Sequence, residues 1–250
     1  MATTYYARGQ GYLRIADRDA TGRISGWSEL GDADVFQLTS TQENLVFRES
    51  QSGARAKVID TVTSTDFNVA MTLRSFDTAN LKRALYGSLA SGTGASVTDE
   101  AHKAYAGTSI FVKHPGISSV VVTKAPSTNL VLNTDYTFDA ATGRIDFLPG
   151  SAIITGASAH DVLVDYTYAT YDGRVQGLGV AAPNVMLRAD LTDSAGKKLI
   201  ATLWNVRLST PSSIDLIGTE VGALQLTGGL QAAPEITGAG LSQFFEVIRL

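Results

Sequence analysis

The sequence predicts a mainly β protein: two packed antiparallel sheets, a β-sandwich or partial barrel, with one short flanking α-helix and a long β-hairpin loop. Three observations carry this. Segments of period-two hydrophobicity recur along the chain between Gly-, Asp- and Asn-containing turns. One strand runs directly into one short helix at Asp66–Gly87, and no second helix pattern matches it in strength. The chain has 250 residues, 44% of them hydrophobic and none of them cysteine, so it must build its core without disulfides or thiolate sites.

The strand-to-helix step is the sharpest signal. Phe67, Val69, Met71 and Leu73 alternate with Asn68, Ala70, Thr72 and Arg74, the pattern of a strand with one buried face. The period changes at Phe76. Asp77 suits a helix N-cap, with Phe76 and Leu81 at the two ends of a hydrophobic staple. Leu81, Ala84 and Leu85 then share a helical face over Thr78–Tyr86, Lys82 and Arg83 fall in the last turns, and Gly87 ends the element.

The preceding residues read as a first strand at Leu13–Asp17, a turn at Asp19–Gly26, and a strand at Asp34–Thr41. In that strand Phe36 and Leu38 face away from Val35, Gln37 and Thr39. Gln42–Arg55 is polar with an apolar insert, Leu45-Val46-Phe47, before Val58–Thr63 returns as strand. The pattern is a long hairpin with an extended tip. If the tip projects, Leu45, Val46 and Phe47 are exposed; otherwise they fold back on their own sheet.

Ser88–Gly107 is the least patterned stretch. It reads as an exposed arm or connector that could carry a short helix at Asp99–Tyr105. Beyond it, Ser119–Thr123, Asn133–Asp139, Arg144–Leu148 and Val162–Tyr168 read as strands, with a hairpin turn at Ala141-Thr142-Gly143. The chain reads as a single domain over 1–250. Residues 108–171 form either a β-rich insertion lobe or part of the main sheets, and the pattern leaves both open. Val185–Asp193 and Lys198–Ser209 pair around Asp193-Ser194-Ala195-Gly196. The second of these, KLIATLWNVRLS, is apolar on both faces and reads as a central strand. Gly222–Ala232 and Phe244–Leu250 supply the last strands.

Tests for chemistry find no constellation. His102, His114 and His160 are far apart, follow no ligand spacing, and read as surface loop residues. Gly177-Leu178-Gly179-Val180-Ala181-Ala182 matches a dinucleotide fingerprint by letters, but Pro183 follows and no helix opens, so it reads as a loop. Carboxylate pairs at Asp17/Asp19, Asp32/Asp34 and Asp99/Glu100 lack the aromatic platforms expected of a glycosidase cleft. No cofactor or metal is expected, and the chain reads as a non-enzyme. The net charge is −4, without a basic stripe, which argues against stable nucleic-acid binding. The N-terminus lacks a signal-peptide core and no apolar run spans a membrane, so a cytoplasmic product with no membrane segment is expected.

The order of these segments resembles the major tail tube proteins of tailed bacteriophages. The likeness rests on FNVAMTLRSFDTANLKRALYG, on the combination SVVVT, NTDYTFDAATGRIDFLPGSAI and VDYTYA, and on NVMLRADLTDSAGKKLIATLWNVRLS with IDLIGTEVGALQLTGGLQAA. The resemblance implies a virion protein of the long, non-contractile tail type. Six copies would form a ring, and rings would stack into a tube that conducts DNA as passing cargo into the host. It implies self-association, a tape-measure protein, and tail terminator and tail-tip proteins as partners. The matching inter-subunit loop is Gln42–Arg55, with Glu43, Asn44, Leu45, Val46, Phe47 and Arg48 at the contact and Leu81, Ala84 and Leu85 on the flanking helix. Competing readings are another phage structural protein (tail terminator, tail tip or head decoration) or a carbohydrate-binding β-sandwich.

Overall fold

A computed structural model describes residues 9–51, 53–193, 196–217 and 221–250. Ser194 and Ala195 of the expected turn lie outside these residues, as does Ser52 of the expected hairpin tip. Strands β1 (Gln10–Asp17) and β2 (Ser28–Glu29) precede the long β3 (Ala33–Arg48) and β4 (Lys57–Leu73). Helix α1 (Thr78–Ala84) follows. Next come β5 (Ser88–Gly92), β6 (Ala95–Ala104), β7 (Ser109–Phe111), β8 (Ile117–Lys124), β9 (Thr128–Asn129), β10 (Tyr136–Asp139), β11 (Arg144–Phe147) and β12 (His160–Tyr168). The chain ends with β13 (Tyr171–Gln176), β14 (Asn184–Thr192), β15 (Lys198–Ser209), β16 (Leu224–Leu230) and β17 (Phe245–Arg249). The fold is mainly β, in several antiparallel sheets, with a single short helix among the described residues and no closed barrel.

The chain divides into two compact units, Met1–Ser88 with Val175–Leu250, and Leu89–Arg174. The section read as lobe or sheet, 108–171, falls inside the second unit, which begins earlier, at Leu89. The strands that lead out and back, β5 and β13, pair with each other.

The first unit is one antiparallel sheet in the order β2-β1-β14-β15-β16-β4-β3, with β17 also on β15. β15 is central because both of its edges are used. β14 takes one edge; β17 pairs with Leu199–Leu203 and β16 with Val206–Ser209 along the other. Its apolar run matches that position. Ile15, Leu73, Leu187, Leu203, Val206 and Leu226 form the core with their neighbours. Gly11 on β1 is required by close approach: an ideal Cβ would stand 1.9 Å from the Asp190 carbonyl oxygen.

The helix forms as its sequence requires. The Asp77 carboxylate accepts from the Asn80 N–H at 2.7 Å, and Phe76 and Leu81 both pack on the core. The C-terminal end differs from expectation: the helix closes at Ala84, with Leu85 as its C-cap. Tyr86, not Gly87, takes the left-handed conformation, with φ +48°, and the Gly87 N–H donates to the Lys82 carbonyl at 2.8 Å. Gly87 serves close packing instead, since a Cβ there would lie 2.8 Å from Val175 Cγ1.

The second unit packs a three-stranded sheet, β10-β11-β7, and a four-stranded sheet, β6-β12-β8-β9, over one core. Val162, Val164 and Tyr166 point inward from β12, as their alternation predicts, and meet Tyr136, Ile145 and Phe147. The turn at Gly143 has φ +72°, which glycine tolerates.

Ser88–Gly107 corrects the sequence reading. Its β5 does connect the two units, but the stretch is no unpatterned arm and no helix forms at Asp99–Tyr105; it holds β5 and β6. The reason is a bulge. Tyr166 faces Val97 while Val164 faces Glu100, so one residue is inserted between them. Asp99 takes φ +55° and its N–H donates to the Asp165 carboxylate at 2.7 Å. The shift reverses which residues point inward, so Val97 on one side and Glu100, His102 and Ala104 on the other share a face. Alternation is erased in the sequence although the strand is continuous.

Candidate functional site: an uncovered β-hairpin

β3 and β4 pair over their whole length, from Ala33 opposite Leu73 to Arg48 opposite Lys57. Only the inner part belongs to the sheet. β16 supports β4 from Asn68 to Leu73 and stops. Beyond Ser40 and Phe67 the two strands continue as a bare ribbon, about 25 Å long at the usual rise per residue. The burial change follows the same line. Val69, Met71 and Leu73 are buried and Phe36 and Leu38 pack on the core, whereas nearly every described residue from Thr39 to Asp66 is exposed.

The ribbon carries apolar side chains into solvent. Phe47 stands opposite Ile59, and Leu45 lies on the same face two residues along β3. Leu45 is 60% exposed and Phe47 56%. The fold-back alternative for the tip is therefore excluded. Val46 and Val62 share the opposite face with a polar chain in which Asn44 Nδ2 donates to Asp60 at 3.1 Å and Lys57 pairs with the same carboxylate. Those two donors, Lys57 first, hold the Asp60 carboxyl below its usual range.

The polar members of the expected contact set hold the ribbon together. The Glu43 carbonyl accepts from Thr63 Oγ1 at 2.9 Å, and its carboxylate from Ser64 Oγ at 3.3 Å. Arg48 Nη1 donates to the Arg55 carbonyl at 3.5 Å, leaving the guanidinium without a carboxylate partner among the described residues. The helix residues do something else. Ala84 is fully buried and Leu81 packs on the core, while Leu85 is half-buried and its carbonyl accepts from the Leu178 N–H at 2.8 Å. They build the first unit and are not part of the ribbon.

A second polar constellation lies in the other unit, and sequence reading missed it. Glu100 Oε1 accepts from the Lys113 N–H at 2.9 Å and contacts His102 Nε2 at 2.8 Å; Oε2 accepts from Tyr166 Oη at 2.5 Å. Burial pushes this carboxyl up, but the hydrogen bonds from Tyr166, His102 and Lys113 outweigh it and hold it low. Tyr166 is driven up by burial and by its bond to Glu100. His114 stacks on Tyr168 with ring centroids 3.9 Å apart, and its Nδ1 is 3.1 Å from Tyr171 Oη. Burial, with Lys113 and Arg174 nearby, lowers the His114 pKa. Two of the three histidines are not the loop residues expected, since His102 lies on β6 and His160 opens β12; His114 does lie in the loop between β7 and β8, but there it is stacked. Both Glu100 oxygens are taken by donors of the same chain, so the cluster ties β6, β12 and the Lys113 segment together. The signal that could have found it is the bulge, which puts Glu100 and His102 on the inner face.

Among the described residues no three His, Asp or Glu side chains gather as metal ligands, and no helix is long and apolar enough to cross a membrane. A family model described as "Protein of unknown function UCP028589" matches residues 6–248. The chain belongs to this family. No curated protein matches it. The match takes in both units and the whole ribbon, so the hairpin lies within the span that the family shares.

Proposed function

We propose that this chain is a structural, self-assembling subunit of a phage tail tube of the long, non-contractile type. Six copies form a ring, rings stack, and the tube passes DNA into the host. The observation that supports it is the ribbon: Leu45, Phe47 and Ile59 stand in solvent beyond the sheet that could have covered them. A long hairpin with free edges and a shared apolar face is costly to leave bare, and association removes that cost. The segment order set out above supplies the kind of assembly. In this reading the subunit works without catalysis, assembles around a tape-measure protein, and meets terminator and tip proteins at the tube ends.

Electron microscopy of the purified protein over a concentration series tests the reading. Rings or tubes of uniform diameter are expected as concentration rises. A strictly monomeric species at all concentrations, with none formed on seeding, overturns it.

A further inference from the structure

The second unit begins and ends in two paired strands, β5 leading in and β13 leading out. Tyr171, the first residue of β13, clasps this neck. Its ring lies against Gly92, the last residue of β5, where a Cβ would stand 2.4 Å from Tyr171 Cε1. Its hydroxyl lies 3.1 Å from His114 Nδ1. His114 is stacked on Tyr168 with the two rings 4° from parallel, and Tyr166 and Tyr171 stand tilted beside it. The loop that carries His114 is fixed to the body of the unit on both sides of the ring. The Lys113 N–H donates to the Glu100 carboxylate on β6, and the Gly116 carbonyl accepts from the Ala169 N–H at 3.0 Å. The same loop holds β13 a second time, since the Lys113 carbonyl accepts from Arg174 Nη2 at 3.5 Å. The returning strand is thus tied to an anchored loop at Tyr171 and at Arg174.

We propose that His114 is a latch on this neck and that acid opens it. The inference is independent of the self-assembly reading. A neutral imidazole with its proton on Nε2 suits the site: Nδ1 accepts from Tyr171 Oη, and the ring packs as an uncharged plate on Tyr168. A second proton turns Nδ1 into a donor, so the tyrosine hydroxyl must rotate to accept. It also sets a cation beside Lys113 of the same loop and Arg174 of β13. Glu100 on β6 and the face of Tyr168 on β12 favour that cation. Burial, Lys113 and Arg174 outweigh them, and the pKa in the fold is lowered. Once the neck opens to water, His114 binds its proton near the ordinary value of 6.5. Proton uptake therefore favours the open form as pH falls below that value. The other groups of the cluster do not act this way. Glu100 has a lowered pKa and stays charged in this range. His102 Nε2 lies 2.8 Å from Glu100 Oε1, so a charge on His102 tightens its contact.

The test is amide hydrogen exchange on the full-length chain at about pH 7.5 and about pH 5.5, each corrected for the intrinsic exchange rate. Residues 89–92 and 171–174 are expected to lose protection about threefold or more in acid, the extent being set by the difference between open and closed pKa. At either pH they exchange faster than residues 162–164 of the core, and low urea does not accelerate them, the mark of a local opening. His114→Phe keeps a ring on Tyr168 and cannot take a proton, so the acid response disappears; His102→Gln leaves it in place. A titration of the histidine rings by NMR needs no variant, and His114 is expected to titrate below 6.5. The proposal is overturned if His114 titrates at or above that value, or if the neck loses no protection in acid. It is equally overturned if the response survives in His114→Phe, vanishes in His102→Gln, or appears only together with residues 162–164 and with urea. In that last case acid unfolds the unit and opens no latch.

Discussion

Phe47 and Ile59 face each other across the β3–β4 ribbon, and among the described residues no third strand lies beside them and no core beneath. Fully burying an aliphatic or aromatic side chain of this size is worth about 1.5–3 kcal/mol, so the pair represents a reserve of binding free energy not used in folding. Replacing Leu45 and Phe47 together by Asp is expected to abolish higher-order assembly. The melting temperature of the monomer should stay within a few degrees of native, because neither side chain contributes to the core. Calorimetry beside light scattering checks this. A large drop in melting temperature would mean the tip does support its own subunit.

Asp77 gives a contrasting expectation. Its carboxylate takes the Asn80 N–H, and the helix it starts places Ala84 in the core. Asp77→Ala should cost about 1 kcal/mol in urea unfolding without touching assembly.

Gly11 is a harsher case. The Asp190 carbonyl occupies the space of its missing Cβ, so Gly11→Ala must push β1 away from β14. A loss of about 3 kcal/mol or more is expected from overpacking against backbone, measured by chemical denaturation. The same substitution at Gly150, where a Cβ meets nothing, serves as the control.

The His114 stack should make the second unit sensitive to acid. Its pKa is lowered in the fold, so near and below the ordinary value of 6.5 the unfolded chain binds the proton more readily. Stability from this residue is full above that value and is lost as pH falls through it toward the folded pKa. Glu100 adds a second loss at lower pH, since a depressed carboxyl stabilises above its ordinary range and stops doing so as it protonates. Thermal melts from pH 8 to 5 should fall for the native chain and fall less for His114→Phe. Equal slopes would remove His114 from the account.

Legibility in the sequence varied with physical cause. The Phe67–Leu73 end of β4, α1, β12 and the hairpin around Gly143 were readable because one face of each is buried and the period is unbroken. β15 was readable as central because it carries apolar residues on both faces, and both of its edges are paired. β6 was not, because its bulge at Asp99 reverses the alternation halfway and its outer face is polar. The ribbon was half readable: the apolar insert at Leu45-Val46-Phe47 stood out, but only the end of β16 at Asn68 shows where support stops.

The pairing of β5 with β13 has a consequence for how such a chain can change. The polypeptide leaves the first unit after Ser88 and re-enters at Val175, and these two points lie on neighbouring strands. A segment whose two ends are side by side behaves as a cassette: it can be lengthened, exchanged or deleted while the host needs only a short turn to reconnect. Joining Gly87 to Gln176 through a brief Gly-Ser linker should yield a folded first unit that still carries its hairpin. Decoration and framework would then be separately inheritable parts of one gene product.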